Sequence, residues 1–258
     1  GFGIIFNFSR YTRLWITGRI NRFMTGEPCQ RNPRVVNLNS RMAVQVTALL
    51  IVIGTVAVLV FEWNGALAAH PTWWGRLSTA FFTGVTPRTA GFNVVDYSTL
   101  AVPTLMITLL LMYVGASPGS TGGGIKTTTL GVATLNIFAT ARGRRRIEYG
   151  GRELSNLSVR RAFAAIVLSL VFLGLSISIV ASMESGLGLM PIAFECFSAY
   201  STVGLSMGIT GQLGDPTKLA LVVVMFIGRV SALTLLIGVL RQVQTTAYRY
   251  PKEDIIIN

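Results

Sequence analysis

The chain has 258 residues, 51% of them hydrophobic and only 12% charged, with a mean hydropathy of +0.59 and a net charge of +12. A soluble domain carries about 25% charged residues, so this composition excludes an ordinary soluble protein and points to one embedded in a bilayer. The charge does not point to nucleic acid, because most of the 22 basic residues fall in three segments, Arg10–Arg41, Arg142–Arg161 and Arg241–Lys252. That clustering is what the positive-inside rule expects of cytoplasmic loops and tails.

Residues 1–41 read as the end of a preceding membrane helix, Gly1–Phe8, followed by a basic interfacial stretch with Trp15 and Phe23 among arginines. A chain that opens inside an apolar run, without an initiating Met, is expected to be part of a longer protein. A first repeat covers 42–141. Its outer helix, Ala43–Phe61, is uncharged and about 28 Å long, enough to cross the hydrocarbon core. Trp63, Trp73 and Trp74 mark an outer interfacial belt, and His70 sits before Pro71 in a loop. A half-length helix of about Trp73–Thr83 leads to a turn, Thr86–Asn93, and a long inner helix starts near Thr99. Residues 142–157 form a basic cytoplasmic link. A second repeat covers 158–243, with an outer helix Val159–Met183, a half-helix Met190–Tyr200, a turn Ser201–Ser206 and an inner helix Thr217–Leu240. Residues 244–258 are a cytoplasmic tail. No disulfide is expected between Cys29, on the cytoplasmic side, and Cys196, in a half-helix.

The two turns repeat one pattern, Thr89-Ala90-Gly91-Phe92 and Thr202-Val203-Gly204-Leu205, each after an apolar run too short to span. Non-helical backbone at membrane depth is tolerated only where protein buries it or water bathes it. Each half-helix precedes its turn, so its C-terminal, negative end points there, which favours a cation; an anion site needs the opposite order. Gly91 and Gly204 free the backbone to present carbonyl oxygens, which replace an ion's hydration shell in a filter. Both repeats enter and leave from the cytoplasm, with the turns dipping in from outside. They are therefore parallel repeats about an axis along the membrane normal.

These turns resemble the third and fourth filter segments of the Trk/Ktr/HKT superfamily of potassium transporters. The resemblance extends through Gly115-Ala116-Ser117-Pro118-Gly119-Ser120-Thr121-Gly122-Gly123-Gly124-Ile125-Lys126-Thr127, similar to the intramembrane gating loop of that family's third inner helix. It ends at Gly228-Arg229-Val230-Ser231-Ala232-Leu233-Thr234, where Ser231-Ala232 stand in place of a Gly-Pro pair, which puts the family's kink there in doubt. The implied fold is an all-α membrane protein: two parallel helix–re-entrant pore loop–helix repeats of a potassium-channel-like pore, half of a four-repeat architecture. The implied function is uptake of potassium, or sodium, across a prokaryotic cell membrane, with the ion at the filter carbonyls and no covalent cofactor or enzymatic activity. The alternative is a truncated, non-transporting membrane remnant or scaffold. Implied partners are the N-terminal half of the pore, a second copy in a homodimer, a cytosolic nucleotide-binding regulatory subunit on the arginine-rich face, and the lipid bilayer.

The glycine run also mimics a nucleotide loop, but Ile125 separates Gly124 from Lys126, and a phosphate-binding loop needs the lysine directly after the glycine. As a gate, Ala116, Ser117, Pro118, Gly119, Ser120, Thr121, Gly122, Gly123 and Gly124, with Lys126, are expected beneath the filter. Arg229 is expected to hold them there, since a mid-span arginine needs acceptors. Arg88 is expected to buttress the first turn from behind, with Glu195 as its partner. Asp96 is suited either to draw cations to the mouth or to cap a helix.

Overall fold

The computed structural model describes residues 38–144 and 146–239. The readings made for residues 1–37, including Cys29, and for the tail 244–258 lie outside these. Two helices are long and apolar enough to cross a membrane, α1 (Leu38–Phe61) and α5 (Asn156–Met183). Both are apolar on all sides. Val52, Val56 and Val60 of α1 and Val167, Val171 and Leu175 of α5 are exposed, as helices facing lipid require.

In the first repeat α1 is followed by the half-length α2 (Trp73–Val85), the turn, and α3 (Val102–Tyr113). Thr72 caps α2 by accepting a hydrogen bond from the Gly75 N–H at 3.2 Å, and Pro87 bars its continuation. Alpha-helix α3 opens on Pro103, whose fixed φ suits a first turn. Helices α1 and α2 cross at glycines: a methyl added to Gly84 would lie 2.7 Å from the Thr55 nitrogen. Small residues of this kind let membrane helices approach closely.

The inner helix expected from Thr99, broken at its glycine run, is two helices. Chain 114–126 leaves the helical path after α3 and returns as α4 (Thr127–Ala141), pinned by a parallel bridge between Val114 and Ile125. The link after α4 holds a small antiparallel hairpin that the sequence did not suggest, β1 (Glu148–Tyr149) with β2 (Arg152–Glu153), Glu148 opposite Glu153. Gly150 and Gly151, at φ 60° and 76°, supply the left-handed pair that a two-residue hairpin turn requires.

The second repeat runs α5, the half-length α6 (Leu189–Ser201), the turn, α7 (Asp215–Val230) and α8 (Ala232–Val239). The single inner helix expected over Thr217–Leu240 is thus broken at Ser231, with φ 75° and ψ 126°. The break occurs without the Gly-Pro pair whose replacement had put it in doubt. Most of the core surrounds α6. Ile192, Cys196, Ala199 and Tyr200 pack against α5 and α7, while Phe194 meets Leu105, Leu109 and Met112 of α3.

Candidate functional site

Both turns have the same alternation of φ. Thr89 and Gly91 have φ of 66° and 73°, Thr202 and Gly204 of 53° and 93°, and the residue between each pair keeps a negative φ. A positive φ is uncommon outside glycine and uncomfortable for a β-branched residue, so two threonines held there mark turns determined by their surroundings. In the first, the Thr86 hydroxyl donates to the Phe92 carbonyl at 2.8 Å and accepts from the Phe92 N–H at 3.1 Å. In the second, the Ser198 hydroxyl accepts from the Gly204 N–H at 3.2 Å, and the Ser198 carbonyl accepts from Val203 at 2.9 Å. Sequence reading missed Thr86 and Ser198; a hydroxyl six residues ahead of the position it staples was the available signal.

The two turns touch. A methyl on Gly91 would lie 2.3 Å from the Val203 carbonyl oxygen, so that oxygen and the first turn converge on one space. Directly against both lies the glycine loop. The Gly123 N–H donates to the Thr202 hydroxyl at 2.8 Å. A methyl on Gly122 would fall 2.8 Å from the Thr89 side chain, and one on Gly123 would fall 2.7 Å from the Tyr200 carbonyl. Gly228 of α7 presses on the same carbonyl, leaving 1.8 Å for a Cβ. The loop's own neck is equally tight, with 2.1 Å between a Gly115 methyl and the Gly123 oxygen. Ser201 and Thr127, flanking the loop, keep buried hydroxyls without a partner among the described residues. Of the loop's other residues, Pro118, Gly119 and Thr121 are exposed, and Ala116, Ser117 and Ser120 are half-buried.

The charged residues are arranged differently from expectation. Arg88 does sit behind the first turn, but Glu195 is not its partner. Its guanidinium donates to the Thr47 carbonyl on α1 at 3.2 Å and to the Gly115 carbonyl at 3.5 Å. Glu195, 7% exposed, instead accepts from the hydroxyls of Ser206 and of Thr210, the latter at 2.8 Å. Arg229 makes no hydrogen bond to the loop among the described residues, and its side chain is exposed. With Gly228 turned into the Tyr200 carbonyl, the next residue is rotated about 100° around the helix and away from it. Besides Arg88 at its neck, the cation bonded to the loop is Lys126, whose ammonium donates to the Gly122 carbonyl. Lys126 and Arg229 are near enough to repel. Asp96 is a cap: it accepts from the Ser98 N–H at 2.9 Å and hydroxyl at 2.8 Å, and these bonds hold its carboxyl below the usual range.

A second repeated device escaped the sequence. Glu62, 2% exposed at the end of α1, accepts from the Ala101 N–H at 2.8 Å and the Thr104 hydroxyl at 2.7 Å, at the start of α3. Glu184, ending α5, accepts from the Gly214 N–H at 2.7 Å and the Thr217 hydroxyl at 2.8 Å, at the start of α7. Each outer helix thereby clasps the N-terminus of its inner helix, where a negative charge is favourable. The donors bonded to Glu184 hold its carboxyl below the ordinary glutamate value. Among the described residues no group of His, Cys, Asp and Glu is placed to hold a metal ion.

Comparison with known proteins gives this geometry a context. A family model, TrkH, a cation transport protein, matches residues 2–246. The potassium/sodium uptake protein NtpJ of Enterococcus hirae is 39% identical over 232 residues, covering 86% of this chain and 50% of that protein. Ktr system potassium uptake protein B of Bacillus subtilis is 33% identical over 246 residues, covering 95% of this chain and 55% of its own length. The crystal structure of the potassium transporter TrkH from Vibrio parahaemolyticus has a TM-score of 0.63 at 20% identity, over 79% of this chain and 44% of that one, a likeness of fold. The chain spans about half the length of the curated relatives it matches.

Proposed function

The chain belongs to the TrkH family of cation transport proteins, as a pore subunit of the Trk/Ktr type, and from that premise we propose that its two turns are filter segments through which potassium, or sodium, is taken up. One observation carries this reading: the same alternation of φ, 66° and 73° in one turn and 53° and 93° in the other, recurs at the end of two half-length helices. Alternating handedness turns successive peptide planes so that their carbonyls face one side, the arrangement a dehydrated cation needs. The helix C-termini behind the turns add negative potential.

On this reading the repeats are re-entrant and parallel, the link 142–157 is cytoplasmic, and two further filter segments complete the pore. The full transporter is proposed to be a homodimer in the cell membrane, controlled by a cytosolic nucleotide-binding subunit on the arginine-rich face. The gate is the segment from Ala116 to Gly124, braced internally by Lys126 and held against the filter by Thr202 and, at its neck, by Arg88. Charge-assisted bonds to neutral carbonyls are each worth roughly 1.5–3 kcal/mol, so one of them changes a closed-to-open ratio roughly tenfold to a hundredfold.

Cation uptake into proteoliposomes containing the full-length transporter tests both parts. Gly204→Ser is expected to impair uptake or the discrimination between potassium and sodium, and Lys126→Met to raise flux without the regulator by roughly tenfold. A well-folded Gly204→Ser protein with unchanged uptake and selectivity overturns the filter reading. A well-folded Lys126→Met protein whose flux stays low overturns the gate.

A further inference from the structure

Away from the turns, between α4, α5 and the basic link, lies a cavity of about 440 Å³ lined by Asn136, Thr140, Arg144, Asn156 and Arg160 together with Ile147 and Val159. No acidic residue lines it. Arg146 in the same link faces Glu153 at 4.0 Å, but the guanidinium groups of Arg144 and Arg160 have no ion-pair or hydrogen-bond partner among the described residues. Two unneutralised arginines, two amides and a hydroxyl around one cavity form a donor set for a phosphate.

The height of the cavity identifies the phosphate's source. Helix α5 has 28 residues, about 42 Å, against a hydrocarbon core of about 30 Å, so its ends stand at headgroup level. Arg160 lies one turn into α5, two residues before the uncharged run that begins at Ala162. Arg144 follows the end of α4. Next in the chain to the lining residues Asn136 and Asn156, Ile137 and Leu157 are each exposed by 57%. A basic cradle at the interface with an apolar strip next to it matches one molecule with a charged head and a hydrocarbon tail. The geometry points to a binding site for the phosphate headgroup of an anionic phospholipid, clamped by Arg144 and Arg160 with an acyl chain against Ile137 and Leu157. Basic pockets between membrane helices on the cytoplasmic side are a general form of lipid recognition.

The test is native mass spectrometry of the full chain, with its partner subunits, in neutral detergent titrated with phosphatidylglycerol or phosphatidylcholine. The protein retains phosphatidylglycerol in preference to phosphatidylcholine, and R144Q/R160Q weakens that retention by roughly 30-fold, about fivefold per arginine. R152Q/R161Q removes the same charge outside the cavity and leaves retention within about twofold of the parent. Should R144Q/R160Q not fold, R160K alone serves, since it keeps the charge but loses the planar fork, and retention falls only in part. Equal retention by parent and R144Q/R160Q overturns the site. Equal loss in R152Q/R161Q overturns it in favour of diffuse attraction. Displacement of the lipid by millimolar inorganic phosphate, with the same arginine dependence, overturns the lipid as its source.

Discussion

In the first repeat the turn lies at an edge, with Phe92 68% exposed, and its half-helix α2 shows Phe81 and Phe82 on the surface. In the second, Val203 and Leu205 are 4% and 1% exposed, and α6 is buried from Phe194 to Cys196. Yet the two turns share one alternation of φ. Each turn is stapled by a hydroxyl, Thr86 or Ser198, but the first adds the bonds of Arg88 to carbonyls, whereas the second adds burial of Val203 and Leu205 against α3. One geometry is thus reached by two routes, and the routes fail under different substitutions.

The largest expected effect is steric. Gly115 and Gly228 occupy equivalent positions, each leading out of its inner helix with a carbonyl where a methyl would go. Gly228 meets the rigid end of α6, whereas Gly115 meets the loop, which can shift. Gly228→Ala should cost about 3 kcal/mol or more and most of the folded yield, with Gly115→Ala nearer 1 kcal/mol. Thermal melting of the purified transporters measures both, and equal losses would erase the distinction between a packed and a bonded repeat.

The breaks in the inner helices differ as the turns do. The first takes the whole of 114–126, and the second takes Ser231 alone, in a backbone region that glycine prefers. Ser231→Gly is expected to stabilise by about 1 kcal/mol, seen as a higher melting temperature. If the melt falls instead, Ser231 contributes something other than strain.

The smallest effect separates the clasps. Glu184 has a folded carboxyl value below its unfolded one, so its contribution is complete above the unfolded value, about 4.3, and is lost as pH falls through the folded value. Glu184→Gln should flatten the acid side of the stability profile between about pH 5 and pH 3. An unchanged profile would show that the clasp does not depend on charge.

Much of the architecture was legible. Both half-helices begin and end within two residues of their expected places, because Pro87, a capping Thr72 and the glycines act on their own neighbours. The arginines were read less well. Arg88 was placed behind its turn but given the wrong partner, and Arg229 was brought to a loop that Lys126 holds. Partner choice depends on which face of a helix a residue occupies after close packing has set the rotation, and Gly228 sets it for Arg229.

By itself the sequence determined that this chain is a membrane protein, where its outer and half-length helices stop, that it is built twice, and which family it resembles. All of these rest on interactions within a few residues along the chain, or on solvent preference summed over a segment. The tertiary structure alone decided that Thr89 and Thr202 adopt left-handed backbone, that the glycine loop touches both turns, and that Glu62 and Glu184 clasp helices about forty and thirty residues further on. Each of these joins groups distant in sequence, and their pairing is fixed only when packing brings the buried polar atoms within reach of one another.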